Sequence, residues 1–222
     1  MKSSFNDWTG RPQPISHPLE IDKTRTAAEV IERLCLTCGI CCSGILFKDV
    51  ELQPADDLGA LACLFHTSPK TPGRRSSSEN RSQGVEARPV RSSSSTLSKL
   101  PQPCPALGPD LRCRVYPQRP VRCHDFECAL LQAVLAGRTD WSLARRVIDS
   151  TLQQADRVKS LLRQLGDADE TLALSLRFQK MEKRIRRRGF DETTAALYAD
   201  LTLAVHDLNM RLRREFYPKP GD

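Results

Sequence analysis

The sequence predicts a mainly α fold in which an irregular cysteine-rich module packs with a C-terminal antiparallel helical region. Three observations predict it. From Trp141 onward apolar residues recur every three or four positions, the period of helices that bury one face. Upstream, six prolines between Leu100 and Cys128 forbid a long helix. Aromatic residues make up only 5% of the chain, which favours helices packed through Leu, Ala and Val over a β-sandwich.

In chain order, residues 1–20 contain Gly10, Pro12, Pro14 and Pro18 and read as a flexible N-terminal arm. Thr26-Ala27-Ala28-Glu29 then fits a capping box, and Val30, Ile31 and Leu34 supply one apolar face. A short helix is therefore expected to deliver the chain to Cys35. Ile45 to Phe65 mixes apolar residues with Asp49, Glu51, Asp56 and Asp57, and Pro54 to Leu58 reads as a helix start with acids in its first turn. Residues 68–99 are rich in Ser, Arg, Pro and Gly, with serine runs at 76–78 and 92–95. Such a tract cannot bury enough apolar area to offset its ordering entropy, so it is expected to be a disordered insertion between 21–67 and 100–130, the two parts of the cysteine-rich module.

Residues 100–128 are expected to form turns and short extended pieces, a form suited to wrapping around a site. A helix follows from Phe126 to Ala136, broken at Gly137 to Asp140. The next carries Trp141, Ala144, Ile148, Leu152, Ala155, Val158, Leu161 and Leu165 at helical spacing up to Gly166. Asp167 is expected to open a further helix, with Leu172, Leu176, Met181 and Ile185 on its apolar side, ending at Gly189. A last helix runs from about Glu192 to Phe216 with Leu197, Leu201, Ala204, Leu208 and Leu212 facing inward, stopped by Pro218. Short connections favour antiparallel packing across residues 131–217.

No apolar run approaches the roughly 20 residues that cross a bilayer, so no membrane partner is expected. The N-terminus lacks the apolar stretch of a secretory signal, which makes a cytoplasmic location the expectation and disulfides the minority reading of the cysteines. The net charge of +7 would invite a nucleic-acid partner, but residues 68–99 hold seven basic residues against two acidic, +5 of that +7. The rest is nearly balanced, and the basic run Lys180, Lys183, Arg184, Arg186, Arg187, Arg188 reads as a solvated face that complements a helix C-terminus. A nucleic-acid partner is thus disfavoured. The phosphate-loop, Gly-x-Ser-x-Gly and His-Glu-x-x-His signatures are absent from the sequence, and whether the chain is an enzyme stays open.

Cys35-Leu36-Thr37-Cys38-Gly39-Ile40-Cys41-Cys42 spells C-x2-C-x2-C-C, and Cys104, Cys113, Cys123 and Cys128 form a second group. Continued as a helix, the first group would place Cys35, Cys38 and Cys42 beside Ile31 and Ile45 as small core residues. Gly39, Ser43 and Gly44 instead fit a loop turning around an ion. Thiolates are soft ligands, and four of them satisfy Zn2+ or one iron–sulfur cluster. Cys35, Cys38, Cys41, Cys42, Cys104, Cys113, Cys123 and Cys128 are accordingly the expected metal ligands. Spacing leaves iron–sulfur and zinc both open: C-x2-C-x2-C is the bacterial ferredoxin opening, but the x3 gap before a fourth Cys is missing, and two clean C-x2-C knuckles for zinc are missing too. Cys63, in the apolar setting Leu61-Ala62-Cys63-Leu64-Phe65, reads as a bystander. His124 is a candidate ligand or hydrogen-bonding neighbour, and Arg114, Arg119 and Arg122 either offset anionic sulfur or cap turns.

The ordering Cys35-x2-Cys38-x2-Cys41-Cys42, then Cys104, Cys113-Arg114-Val115-Tyr116, Arg119-Pro120-x2-Cys123 and Cys128, resembles the YkgJ-type cysteine cluster family, the CxxCxxCC or zinc- or iron-chelating domain family. The resemblance spans roughly residues 30 to 130. It departs from the family at His124, where Arg is expected, and in the Ser/Arg-rich insertion. Family members are described as iron–sulfur oxidoreductases or metal-binding proteins, and flagellin lysine N-methylase carries a similar cluster. The resemblance implies a metal-binding protein holding an iron–sulfur cluster or zinc through the same eight cysteines. Two expectations follow: a centre that supports electron transfer or a modification reaction, or a zinc-stapled structural and interaction module without catalysis. In either, the helical region would meet a protein partner.

Overall fold

The computed structural model describes residues 26–57, 59, 61, 99–189 and 191–218, with only the backbone of Arg188. The expected arm over 1–20, Cys63, and the insertion over 68–99 apart from Lys99 lie outside the described residues. The fold is mainly α, as the periodicity predicts.

Helix α1 spans Ala27–Cys38 and opens with the expected capping box: Thr26 Oγ1 accepts the Glu29 N–H at 3.3 Å, and the Glu29 carboxylate accepts the Thr26 N–H at 2.9 Å. It does not stop before Cys35 but carries Cys35 and Cys38 on its last turn. Gly39, at φ 65°, ends it in the left-handed conformation that costs glycine least. The chain then turns tightly through residues 40–46.

A two-stranded antiparallel ladder, not foreseen from the sequence, joins β1 (Asp49–Glu51) to β2 (Lys99–Pro101) in the register Asp49↔Pro101, Val50↔Leu100, Glu51↔Lys99. It sets residue 51 beside residue 99, so the two parts of the cysteine-rich module meet. Downstream the proline-rich segment has the expected form: a bridge between Leu107 and Cys113, a 3-10 turn over Tyr116–Gln118 and the short helix α2, Val121–Asp125.

Helix α3 spans Ala129–Leu135, beginning later than the expected Phe126 because Cys128 acts as its N-cap. Helix α4, Trp141–Gln164, is capped by Asp140 and buries Ala144, Ile148, Thr151, Ala155, Val158, Leu161 and Leu162; Thr151 and Leu162 join the predicted stripe, while Trp141 and Leu152 are only half-buried. The Thr151 hydroxyl bonds back to the Val147 carbonyl at 2.7 Å, which makes it acceptable in the core.

Helix α5 spans Leu174–Arg188, so Asp167 does not open it. Asp167 Oδ2 instead pairs with Arg177 Nε at 2.6 Å, both side chains nearly buried, and Ala173 occupies the cap position. Helix α6, Glu192–Glu215, is capped by Asp191 and buries Leu201, Ala204, Leu208 and Leu212. The Ala129 N–H bonds to the Phe216 carbonyl at 3.2 Å, which fastens the end of α6 to the start of α3, and α4 and α6 make the most extensive helix contact of the fold. One apolar core joins α1, the cysteine turns, α3, α4, α5 and α6; each large side chain buried there contributes about 1.5–3 kcal/mol. Among the described residues no helix is long and apolar enough to cross a membrane.

Candidate metal centre

The eight cysteines expected as ligands come together from six local structures. Cys35 and Cys38 lie one turn apart on α1, and Cys41 and Cys42 lie in the turns after Gly39. Cys104 follows β2, and its N–H bonds to the Cys42 carbonyl at 2.7 Å, tying the two sequence groups backbone to backbone. Cys113 is held by its bridge to Leu107. Cys123 sits on α2, with its N–H on the Pro120 carbonyl at 2.8 Å. Cys128 caps α3, its Sγ accepting the Leu131 N–H at 3.4 Å, a position at a helix N-terminus that favours thiolate.

All eight line one cavity of about 130 Å³, whose remaining wall is largely apolar and includes Leu34, Phe47, Ile148 and Phe216. A single water needs roughly 10–15 Å³ of such space, so the room exceeds that of one ion. Among the described residues no three Cys, His, Asp or Glu side chains converge as a ready-made ion site; the thiols lie around the wall of the cavity.

Burial pushes Cys35, Cys38, Cys41, Cys42, Cys104, Cys123 and Cys128 up from their ordinary pKa, and neighbouring thiols push most of them further. Cys35, the exposed member of the set, is raised to about 11 and Cys38 to about 12. Cys123 is raised to about 12, and Cys41 and Cys42 rise well above the ordinary value for the same reasons. Cys104 and Cys128 are raised by burial, against the pull of backbone N–H groups aimed at their sulfurs. Cys35, Cys38 and Cys41 each feel Cys128, whereas Cys42 feels Cys104, Cys123 and Cys113 most strongly. Cys41 and Cys42 feel each other's side of the turn, Cys41 being raised by Cys42 and Cys42 by Cys38. Such a set ionises readily only with a cation among the sulfurs, which a soft metal would supply.

The arginines cap turns as well as offset charge. Arg119 donates from Nε to the Cys123 carbonyl at 3.3 Å and lies over the Tyr116 ring at 3.8 Å, while its charge pulls Cys35 and Cys123 downward. Arg114 donates to the Pro105 carbonyl at 2.6 Å and favours the Cys104 thiolate. Arg122 pairs with Glu51 at 3.9 Å. His124 is exposed near the end of α2 and lies outside the cavity wall.

The roles of four residues escaped the sequence. Arg145 of α4 donates to the Thr37 carbonyl at 3.3 Å and favours the Cys38 thiolate; its spacing from Cys38 offers no sequence signal. Asp56 is an acceptor: it takes the N–H groups of Gln53 and Val121, each at 2.7 Å. Gln102 and Tyr116 both line the cavity; Gln102 Oε1 is buried without a hydrogen-bond partner among the described residues, and the Tyr116 hydroxyl lies beside the Arg119 guanidinium. An unsatisfied buried polar atom costs about 1–3 kcal/mol. Thiolate or sulfide sulfur in the cavity would accept from the Tyr116 O–H, and from the Gln102 amide turned about its last torsion. The donor set, eight thiols around one cavity with an O–H and an amide that can donate to sulfur, therefore fits a sulfur-bound metal.

Three members of the basic run on α5 have partners within the protein: Lys180 pairs with Asp169 at 3.0 Å, Arg186 with Glu182 at 2.6 Å, and Arg184 donates to the Gly166 carbonyl at 3.1 Å. No protein-family model, curated protein or solved structure matches the chain.

Proposed function

We propose that this chain is a thiolate metalloprotein that holds an iron–sulfur cluster or zinc through Cys35, Cys38, Cys41, Cys42, Cys104, Cys113, Cys123 and Cys128. The observation that carries the reading is the single cavity lined by all eight, drawn from two groups separated by more than 60 residues of chain. A core built for packing alone has no need of this density of thiols, nor of an unpaired Gln102 oxygen on a residue that lines the same space. The resemblance to the YkgJ-type cluster family belongs to the same proposal, as does a cytoplasmic location. The helices brace the centre and offer a surface to a protein partner.

An iron–sulfur cluster would supply one-electron chemistry, whereas zinc with four thiolates would serve as a closed structural staple. The protein purified without oxygen, examined for iron, zinc, acid-labile sulfide and visible absorption, tests the reading. Stoichiometric metal supports it, with a bleachable chromophore assigning iron–sulfur and a colourless zinc protein assigning the staple. A stably folded, metal-free protein refutes it.

A further inference from the structure

We propose that the eight thiols build two four-thiolate centres that trade one member between the sequence groups: Cys35, Cys38 and Cys41 are closed by Cys128, and Cys104, Cys113 and Cys123 are closed by Cys42. The inference rests on the thiolate-metal reading above and specifies how its ligands divide.

Packing separates the sets. Cys38, Cys41 and Cys128 lie against the main helical core, whereas Cys104 and Cys113 lie against a second, small apolar cluster centred on Leu61 and Ala106. Cys128 reaches the first set because it heads α3, which packs on α1, the helix bearing Cys35 and Cys38. Cys42 reaches the second because its carbonyl takes the Cys104 N–H at 2.7 Å. The boundary between the centres thus runs through the Cys41–Cys42 peptide, and this accounts for the C-C doublet that fits neither a ferredoxin nor a zinc-knuckle spacing.

The first set, C-x2-C-x2-C with a remote fourth thiolate, has the ligand spacing of an iron–sulfur cluster. The second, four thiolates at wide and irregular spacing, has the composition of a further cluster, or of a tetrathiolate ion site that closes as the metal binds, since no three of these thiols already converge among the described residues. Each centre takes ligands from both sequence groups, so each staples the two parts of the cysteine-rich module together.

The test uses the full chain, purified anaerobically with its metal. Increasing chelator is followed by thiol alkylation and mass-spectrometric mapping of which cysteines have become reactive. The expected result is two groups of four, released together within each group: Cys35, Cys38, Cys41, Cys128 and Cys42, Cys104, Cys113, Cys123. Cys128→Ser should expose Cys35, Cys38 and Cys41 while the second group stays protected, and Cys42→Ser should do the reverse. Release of all eight in one step, or grouping by sequence with Cys42 following Cys35, Cys38 and Cys41, would overturn the division. The wild-type mapping needs no variant to fold. A metal-free wild type would refute the underlying reading, whereas bound metal with a different grouping refutes the division alone.

Discussion

A Cβ on Gly44 would stand 2.9 Å from the Cα of Ala173 and 3.2 Å from the nitrogen of Pro103. Three backbones meet at that point: the cysteine turns, the entry to α5 and the strand that leads to Cys104. The Leu174 N–H bonds to the Gly44 carbonyl at 2.9 Å across the same junction, so the helical region is fastened directly to the turn that carries Cys41 and Cys42.

Gly44→Ala should therefore be costly twice over. The left-handed φ of 73° costs a side-chain-bearing residue about 1–3 kcal/mol, and the contact with Ala173 forces two backbones apart. Gly137 supplies the control, with a φ of 68° and no neighbour within 4 Å of its Cβ position among the described residues. Urea denaturation should show Gly44→Ala to be clearly more destabilising than Gly137→Ala, and only Gly44→Ala should speed metal loss to a chelator. Equal effects would mean that conformation alone matters at Gly44.

The ion pair between Arg177 and Asp167, 2.6 Å long with side chains 3% and 11% exposed, predicts an asymmetric mutational response. Asp167→Ala strands a buried guanidinium that already has one unpaired nitrogen and should cost about 3–5 kcal/mol. Replacing both partners, as Asp167→Leu with Arg177→Met, removes the stranded charge and should recover much of that loss. Denaturation midpoints of the single and double variants check the ordering.

Helices α4 and α6 both start at an aspartate whose carboxylate accepts backbone N–H bonds, Asp140 from Leu143 at 2.8 Å and Asp191 from Thr194 at 2.7 Å. Asp140 is held below the ordinary carboxylate pKa by the Ser142 hydroxyl and the Leu143 N–H, and Asp191 by the Thr194 N–H and hydroxyl. A carboxylate whose folded pKa is depressed stabilises the protein above its unfolded pKa, near 3.9, and loses that contribution as pH falls through the lower folded value. Asp140→Ala with Asp191→Ala should thus lower the melting temperature at pH 7, with the gap to wild type narrowing below pH ~4. Circular dichroism melts across that range provide the measurement.

The helical half of the fold was readable because Ala144, Ile148, Ala155 and Val158 repeat at helical spacing, and all four are buried. Residue type likewise exposed the thiols, since metal chemistry marks cysteine wherever it lies. What the sequence hid are relations between distant segments. The β1–β2 ladder is only three residues long on each side, too short to show an alternating pattern. Asp167 looks like a helix start because Asp often is one, yet the buried Arg177 ten residues on claims its carboxylate. The partnership of Cys42 with Cys104 depends on a backbone bond across the tract between them, and the approach of Arg145 to Cys38 depends on how α4 lies against α1.

Asp56 is where such a hidden relation bears most directly on the site. Its two oxygens accept the N–H groups of Gln53 and Val121, each at 2.7 Å, and Val121 is the first residue of the helix that carries Cys123. Hydrogen bonds to a charged group contribute about 1.5–3 kcal/mol each, so this carboxylate fixes one thiol by holding the backbone in front of it. Asp56→Ala should lose both bonds and accelerate metal release, while Asp56→Asn, with one amide oxygen to accept with, should fall between. If the division of thiols into two centres is right, the variant should selectively increase alkylation of Cys42, Cys104, Cys113 and Cys123, because only their centre loses its support. Uniform exposure of all eight would instead identify Asp56 as a general stabiliser of the module.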